Sequence, residues 1–258
     1  MDRFAYPRPQ GPPILHQSWS HLAFMHWPVA PELVRPLLPR GLALETFDGT
    51  AWLGLTPFRV SRMRPSLVPA LPWVGDQIEL NFRTYVRAGD IPGVWFFSLD
   101  ATNPLAVYSA RVGFRLPYFL ASMTFERSGR VRRFRSRRTH PRASAAVFEA
   151  EWTVEEWLPE AAPETLDHFL LERYWLYASD GRDLWRARIQ HERWRLRRAQ
   201  PVRYATTLFA AHGLPVQCEA PLMHAQREPL HVEIWPLHRV APRGSNAGAP
   251  AEVDALAQ

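Results

Sequence analysis

Short runs of alternating polar and apolar residues recur along this chain, several of them separated by two-residue turn signals. Alternate side chains of a strand share a face, so the pattern commits such segments to strands with two unlike faces. Leu42–Phe47 and Ala51–Phe58 flank Asp48-Gly49, which predicts a β-hairpin. Ala121–Arg127 and Val131–Arg138 flank Ser128-Gly129 in the same way. Ile78–Arg87 alternates strictly, and Val94–Asp100 is a short aromatic run suited to a buried strand. Ala146–Val154, Leu184–His191 and Leu230–Trp235 read as further strands. Helices are expected over Ala30–Leu38, Pro163–Tyr177 and Tyr204–His212, the last ending at Gly213. Many short strands with few helices predict an α+β domain, mostly antiparallel β, curled or closed on itself.

With 47% hydrophobic residues in 258, the chain can bury a sizeable core. No linker or repeat divides it, so one domain over residues 14–240 is expected. Residues 1–13 are proline-rich and expected to be irregular, and residues 241–258 are small, polar and expected to be a disordered tail. No apolar run approaches the ~18 residues of a membrane-spanning helix. The opening MDRFAYPRPQGPP lacks the apolar segment of a signal peptide, so a cytoplasmic protein is expected. The single cysteine, Cys218, excludes an intrachain disulfide and an all-cysteine metal site. All 31 basic residues are arginine, against 25 acidic ones, for a formal charge of +6. Without lysine, the chain has no Schiff-base lysine, P-loop lysine or lysine general base.

The segment Glu79–Val86 carries the most chemistry. Glu79, Asn81, Arg83 and Tyr85 fall on one strand face, and Leu80, Phe82, Thr84 and Val86 on the other. The pattern fits an amphipathic strand with its polar face in water. It fits equally a strand whose carboxylate, amide, guanidinium and phenol converge on a small ligand inside a cavity. Asp100, ending an apolar strand, either caps the turn that follows or pairs with Arg111 at a cavity mouth. Arg111–Tyr118 mixes two arginines with aromatics, and Glu172-Arg173-Tyr174 reads as a helix-end ion pair beside a core aromatic. His191 falls on an apolar face, where a lone histidine is more often a hydrogen-bonded core residue than a base or ligand; it is kept as a binding candidate. His16, His21 and His26 recur every five residues, a spacing that shares no face of a strand or helix, so no metal site is expected from them. Eight arginines lie in Arg127–Arg142. Such a ribbon can lie on phosphates, but nearby glutamates can pair with it across strands, and only Phe134 interleaves.

The ordered segments His26-Trp27, FDGTAWLGLTPF (47–58), ELNFRTYV (79–86), GVWFFSLDA (93–101), ARVGFRLPY (110–118), LLERYWLY (170–177) and IQHERW (189–194) resemble the uncharacterised YqjF-like family over roughly residues 14–237. That family is placed in the acetoacetate decarboxylase-like superfamily. The resemblance implies a cone-shaped antiparallel β-barrel with a central cavity and flanking helices. The decarboxylases' catalytic segment reads GREIWGFPKKLA, in which the first of the paired lysines forms the Schiff base. Here Ala110–Ala121 keeps Arg111, Pro117 and the closing Leu120-Ala121, while the lysine pair becomes Tyr118-Phe119. The resemblance therefore implies the cavity and Arg111 but not the decarboxylation. Glu79 and Tyr118 are the candidate acid/base and donor. Asn81, Arg83, Tyr85, Asp100, Arg111 and His191 are the candidate binding residues, with Arg83 and Arg111 expected to hold an anionic or carbonyl-bearing ligand. No cofactor, metal or membrane is expected, and a homo-oligomer is left open. The alternative reading is an interaction module that uses hairpin 127–142 on nucleic acid or an acidic partner.

Overall fold

The computed structural model describes residues 4, 6–67, 76–215, 219–226 and 229–241. Cys218, the expected tail beyond Ala241 and part of the expected irregular N-terminus lie outside them. The chain opens with β1 (Leu15–Ser20), β2 (Ala23–Val29), the one-turn helix α1 (Pro31–Val34), β3 (Ala43–Leu44), β4 (Ala51–Pro65), β5 (Gln77–Ala88) and β6 (Ile91–Ala101). Helix α2 (Pro104–Gly113) leads into β7 (Tyr118–Ser128), β8 (Val131–Arg138) and β9 (Val147–Trp157). After α3 (Leu166–Leu171) come β10 (Trp175–Ser179), β11 (Leu184–Gln190), β12 (Leu196–Thr206), α4 (Leu208–Ala211), β13 (Leu222–Gln226), β14 (Leu230–Ile234) and β15 (His238–Arg239).

The strands form one mixed sheet whose pairings close on themselves. β1, β14, β11, β10, β6, β5 and β4 make one closed circuit. A second runs through β6, β7, β8, β9, β12, β13, β2, β4 and β5, so the two share β4, β5 and β6. Most pairs are antiparallel; β6 meets β10 and β7 in parallel. One apolar cluster, with Trp27, Phe82, Phe134, Phe148 and Trp152, belongs to the second circuit. Another, with Phe58, Phe96, Leu99, Leu176, Ile189 and Val232, belongs to the first.

Several expectations change. Asp48 (φ 48°) and Gly49 (φ 78°) do turn the chain between Phe47 and Thr50, but β3 pairs with β5 rather than with β4. The expected helix Pro163–Tyr177 covers only Leu166–Leu171. Thr165 caps its start, and Trp175-Leu176-Tyr177 leaves it to fill the sheet between β6 and β11. Tyr204–Thr206 belongs to β12, and only Leu208–Ala211 is helical before Gly213 (φ 73°). Helix α2 was not expected. Asn103 starts it, its Oδ1 accepting from the Leu105 and Ala106 amides at 3.0 and 3.3 Å, and Pro104 follows at the first helical position.

Candidate functional site

A chamber of about 290 Å³ lies within the first circuit, roofed by α2. Phe58, Phe96, Leu99, Phe114, Leu176 and Ile234 make most of its wall apolar. Its polar edge is Gln77, Glu79 and Asn81 from β5, Gln17 and Trp19 from β1, and Tyr118 from β7. The period-two geometry of β5 places Gln77, Glu79 and Asn81 side by side. Tyr118 arrives because the stretch after α2 turns into β7 beside Leu99, whose amide donates to the Pro117 carbonyl at 3.0 Å.

The carboxyl of Glu79 is the centre of this edge. It is 3% exposed. One oxygen accepts a short hydrogen bond from Gln77 Nε2, and the Tyr118 hydroxyl stands 3.3 Å from the other. Among the described residues, no arginine or histidine lines the chamber with it. Burial without a cation favours the neutral acid and pushes the Glu79 carboxyl up to about 8, with the Tyr118 and Gln77 hydrogen bonds acting in the opposite direction. Burial and the adjacent carboxyl push the Tyr118 phenol well above its ordinary value. Trp19 Nε1 donates to Gln17 Oε1 at 2.7 Å, fixing that amide. Asn81 Oδ1 and Gln77 Oε1 are buried acceptors without a protein partner.

The other candidates lie elsewhere. Arg83 and Tyr85 share the Glu79 face of β5 but stand beyond the chamber. Arg83 donates to the Leu170 carbonyl of α3 at 3.4 Å and lies over the Phe24 ring at 5.4 Å. Tyr85 is fully buried, packed 5.3 Å from Phe169 and 6.1 Å from His26. Asp100 pairs with Arg138, not Arg111: the guanidinium donates from Nη2 and Nε at 2.8 and 3.0 Å, with both side chains buried. Leu99 faces the chamber, so Asp100 next to it faces away, toward β8. Arg111 is exposed on α2 and donates to the Tyr118 carbonyl at 2.6 Å. It holds the backbone of a chamber residue from outside and does not meet Glu79. His191 packs 4.7 Å from Tyr174 and 4.2 Å from Trp194, with Nδ1 2.6 Å from the Glu192 carbonyl. Burial holds it down at about 4, a neutral core residue outside the chamber wall. Tyr174 donates to Glu172 at 2.6 Å, while Arg173 pairs with Glu45 rather than Glu172.

Gln77, Gln17 and Trp19 were not among the candidates. Gln77 had a signal, since it continues the polar face of β5 by one more alternation. Gln17 and Trp19 had none, because the pairing of β1 with β4 and β14 that brings them in has no local signature. His16, His21 and His26 do not meet. His16 instead faces His231 and Glu233 on the outer side of β1 and β14, its Nδ1 3.4 Å from His231 Nε2 and 3.7 Å from Glu233 Oε1. That trio is the group with metal-ligand spacing among the described residues, and Arg8 already pairs with its carboxylate at 2.8 Å.

Residues 16–229 match the family model DUF2071, described as an uncharacterised conserved protein. The chain belongs to the DUF2071 family. Within it, the uncharacterised protein YqjF of Bacillus subtilis is 36% identical over 236 residues, covering 90% of this chain and 94% of that one. Solved structures show the fold that this DUF2071 protein shares with acetoacetate decarboxylase-like proteins. The enduracididine biosynthesis enzyme MppR, complexed with pyruvate, matches with a TM-score of 0.62 at 13% identity, over 90% of this chain and 91% of that one. An acetoacetate decarboxylase-like enzyme from Sphingomonas wittichii RW1 matches at 0.61 and 12% identity, over 88% and 93%. The acetoacetate decarboxylase of Legionella pneumophila matches at 0.56 and 12%, over 93% and 94%.

Proposed function

We propose that this DUF2071 protein binds a small, uncharged, carbonyl-bearing molecule in the chamber of a cone-shaped barrel, with Glu79 and Tyr118 at the carbonyl. The observation that carries the reading is the Glu79 carboxyl, buried in the chamber with no cation lining it among the described residues. A carboxylic acid that stays protonated at neutral pH is a hydrogen-bond donor aimed at an acceptor. The Tyr118 hydroxyl donates to Glu79 and holds that carboxyl in place, and the free acceptors of Asn81 and Gln77 suit a hydroxyl or amine on the same ligand. The apolar wall suits a short carbon skeleton. MppR, a fold neighbour, is complexed with pyruvate and with a pyruvate condensation product. That supports a small carbonyl compound, while among the described residues the chamber offers no counter-charge for a carboxylate. Arg83 and Arg111, expected to supply it, stand outside the chamber.

The chain has no lysine, so an imine on a lysine side chain plays no part. The chemistry this pair equips is proton transfer next to a carbonyl. The fraction of Glu79 that is ionised takes the proton from the carbon next to the carbonyl. The acid so formed returns a proton to that carbon after exchange with solvent, with little mismatch for a carboxyl poised near neutral pH. Thermal-shift screening of neutral ketones, hydroxyketones and aldehydes tests the binding. A hit should stabilise the wild type and lose its effect in Glu79→Gln and Tyr118→Phe. Incubation of the hit in deuterated water tests the proton transfer. Exchange at the carbon next to the carbonyl should stop in Glu79→Gln. A panel that never shifts the wild type, or shifts all three proteins equally, contradicts the reading.

A further inference from the structure

The arginines of the β7–β8 hairpin divide into two sets. On the outward face Arg133 lies 3.2 Å from Glu151, which also holds Arg203 at 3.1 Å. On the other face Arg138 pairs with Asp100 at 2.8 Å, whereas among the described residues no carboxylate pairs with Arg127 or Arg132. Arg127 and Arg132 stand directly opposite each other across the hairpin, an arrangement that is destabilising for like charges. Arg197 of β12 joins them from the far side of β9. The three guanidiniums and His21, from the turn between β1 and β2, line a pocket of about 150 Å³ floored by Trp152 and Val154.

Among the described residues, no aspartate or glutamate lines this pocket. Arg132 uses Nη1 on the Gly129 and Val131 carbonyls, at 2.8 and 3.0 Å. Arg197 Nε is buried without a hydrogen-bond partner. Partial burial and the neighbouring charges of Arg127 and Arg197 hold the Arg132 guanidinium below its ordinary value. Burial, then Arg127, Arg59 and Arg132, do the same to His21. Among the described residues, the site gathers this positive charge without a carboxylate to balance it.

We propose that this pocket is a binding site for a phosphate or sulfate group, distinct from the chamber. Three guanidinium forks reach it from three strands. A tetrahedral dianion has acceptors facing each of them, whereas a planar carboxylate serves one fork well. The pocket is a cup on the inner side of the ribbon, which suits the free ion or the end of a small phosphorylated or sulfated molecule. A long nucleic-acid backbone would instead follow the exposed row Arg133, Arg135 and Arg137 on the outward face, where Arg133 is engaged with Glu151.

Thermal denaturation of the full chain with added inorganic phosphate, sulfate or chloride at matched ionic strength tests the proposal. Phosphate and sulfate should raise Tm saturably, and chloride should not. Arg132→Gln should unfold at a higher temperature than wild type without anions, because a repulsion is removed. It should also bind phosphate at least about tenfold more weakly, the loss expected for one charge-assisted hydrogen bond. Arg127→Gln should behave likewise, and Arg133→Gln should keep the wild-type phosphate response. A second arm titrates a small phosphomonoester and a labelled DNA duplex. The phosphomonoester should compete with phosphate, and the duplex should not. Equal shifts from all three salts would overturn the proposal. So would equal loss of the response in Arg132→Gln and Arg133→Gln, or duplex binding that depends on Arg127 and Arg132.

Discussion

On one face of β5, Leu80 and Phe82 are 1% and 0% exposed and pack with Trp27, Leu53 and Phe209. On the other face, Glu79 and Asn81 are 3% and 9% exposed, equally hidden from solvent, yet they border an open chamber. The strict alternation of this strand therefore separates two kinds of interior rather than interior from water. Both circuits of the sheet use β4, β5 and β6. One is packed around carbon, and the other keeps a polar edge and empty volume. Stability should reside in the first face and chemistry in the second, so neighbouring substitutions on β5 should have unlike consequences.

The largest effect is expected on the packed face. Phe82→Ala should cost about 3–5 kcal/mol in denaturant unfolding, since it leaves a cavity among aromatic rings. Asn81→Ala, one residue away, should cost less than about 1 kcal/mol, because its carbonyl oxygen has no partner to lose. Comparable losses at the two positions would erase the contrast. Next in size is the Asp100–Arg138 pair, which ties β6 to β8 within the second circuit. Removing either partner should cost about 3–5 kcal/mol, and the double variant Asp100→Ala/Arg138→Ala should cost less than the sum, because neither charge is then left alone. Additive losses in a double-mutant cycle would mean the ion pair is not formed.

Glu79 gives a smaller and pH-dependent effect. Its carboxyl titrates near 8 in the folded chain, against about 4.5 without the burial. Between those values the folded state holds a proton that the unfolded state has released. The associated stability is fully present below about 4.5 and is lost as pH rises to about 8. Wild type should thus weaken by a few kcal/mol over that range, at ~1.4 kcal/mol for each pH unit of difference. Glu79→Gln should show a flatter profile and be the more stable protein at alkaline pH. Parallel profiles would remove the buried acid from the account. The smallest effect belongs to the outer hairpin: Arg133→Gln should change stability by less than about 0.5 kcal/mol, as exposed pairs do.

Much of the sheet was legible because its signals are local. β5 follows from alternation, β6 from its aromatic run, and the β7–β8 hairpin from Ser128-Gly129. The extent of α3 was not, because Trp175-Leu176-Tyr177 continues a helical spacing while tertiary pairing claims it as β10. Helix α2 was readable in Asn103-Pro104, a cap followed by a first-turn proline, but those residues also spell a turn. In the site, the shared face of Glu79 and Asn81 was visible as alternation, whereas Tyr118 came to notice only where the family's lysine would stand. Arg111 and Asp100 were misplaced because the direction of a side chain depends on register between distant strands. Asp100 is one residue from a chamber wall and faces the other way, where Arg138 waits on a strand thirty-odd positions later. The closing pair β1–β4 is set by the whole fold and leaves no mark in either segment.

The central claim is that Glu79 is a neutral acid inside the chamber at physiological pH. Infrared difference spectra between wild type and Glu79→Gln, recorded across a pH series, report it directly through the carbonyl stretch of a protonated carboxyl. The band should be present at neutral pH and disappear with a midpoint near 8. A carboxylate already ionised at neutral pH, with its midpoint near the ordinary glutamate value of about 4.5, would contradict the account.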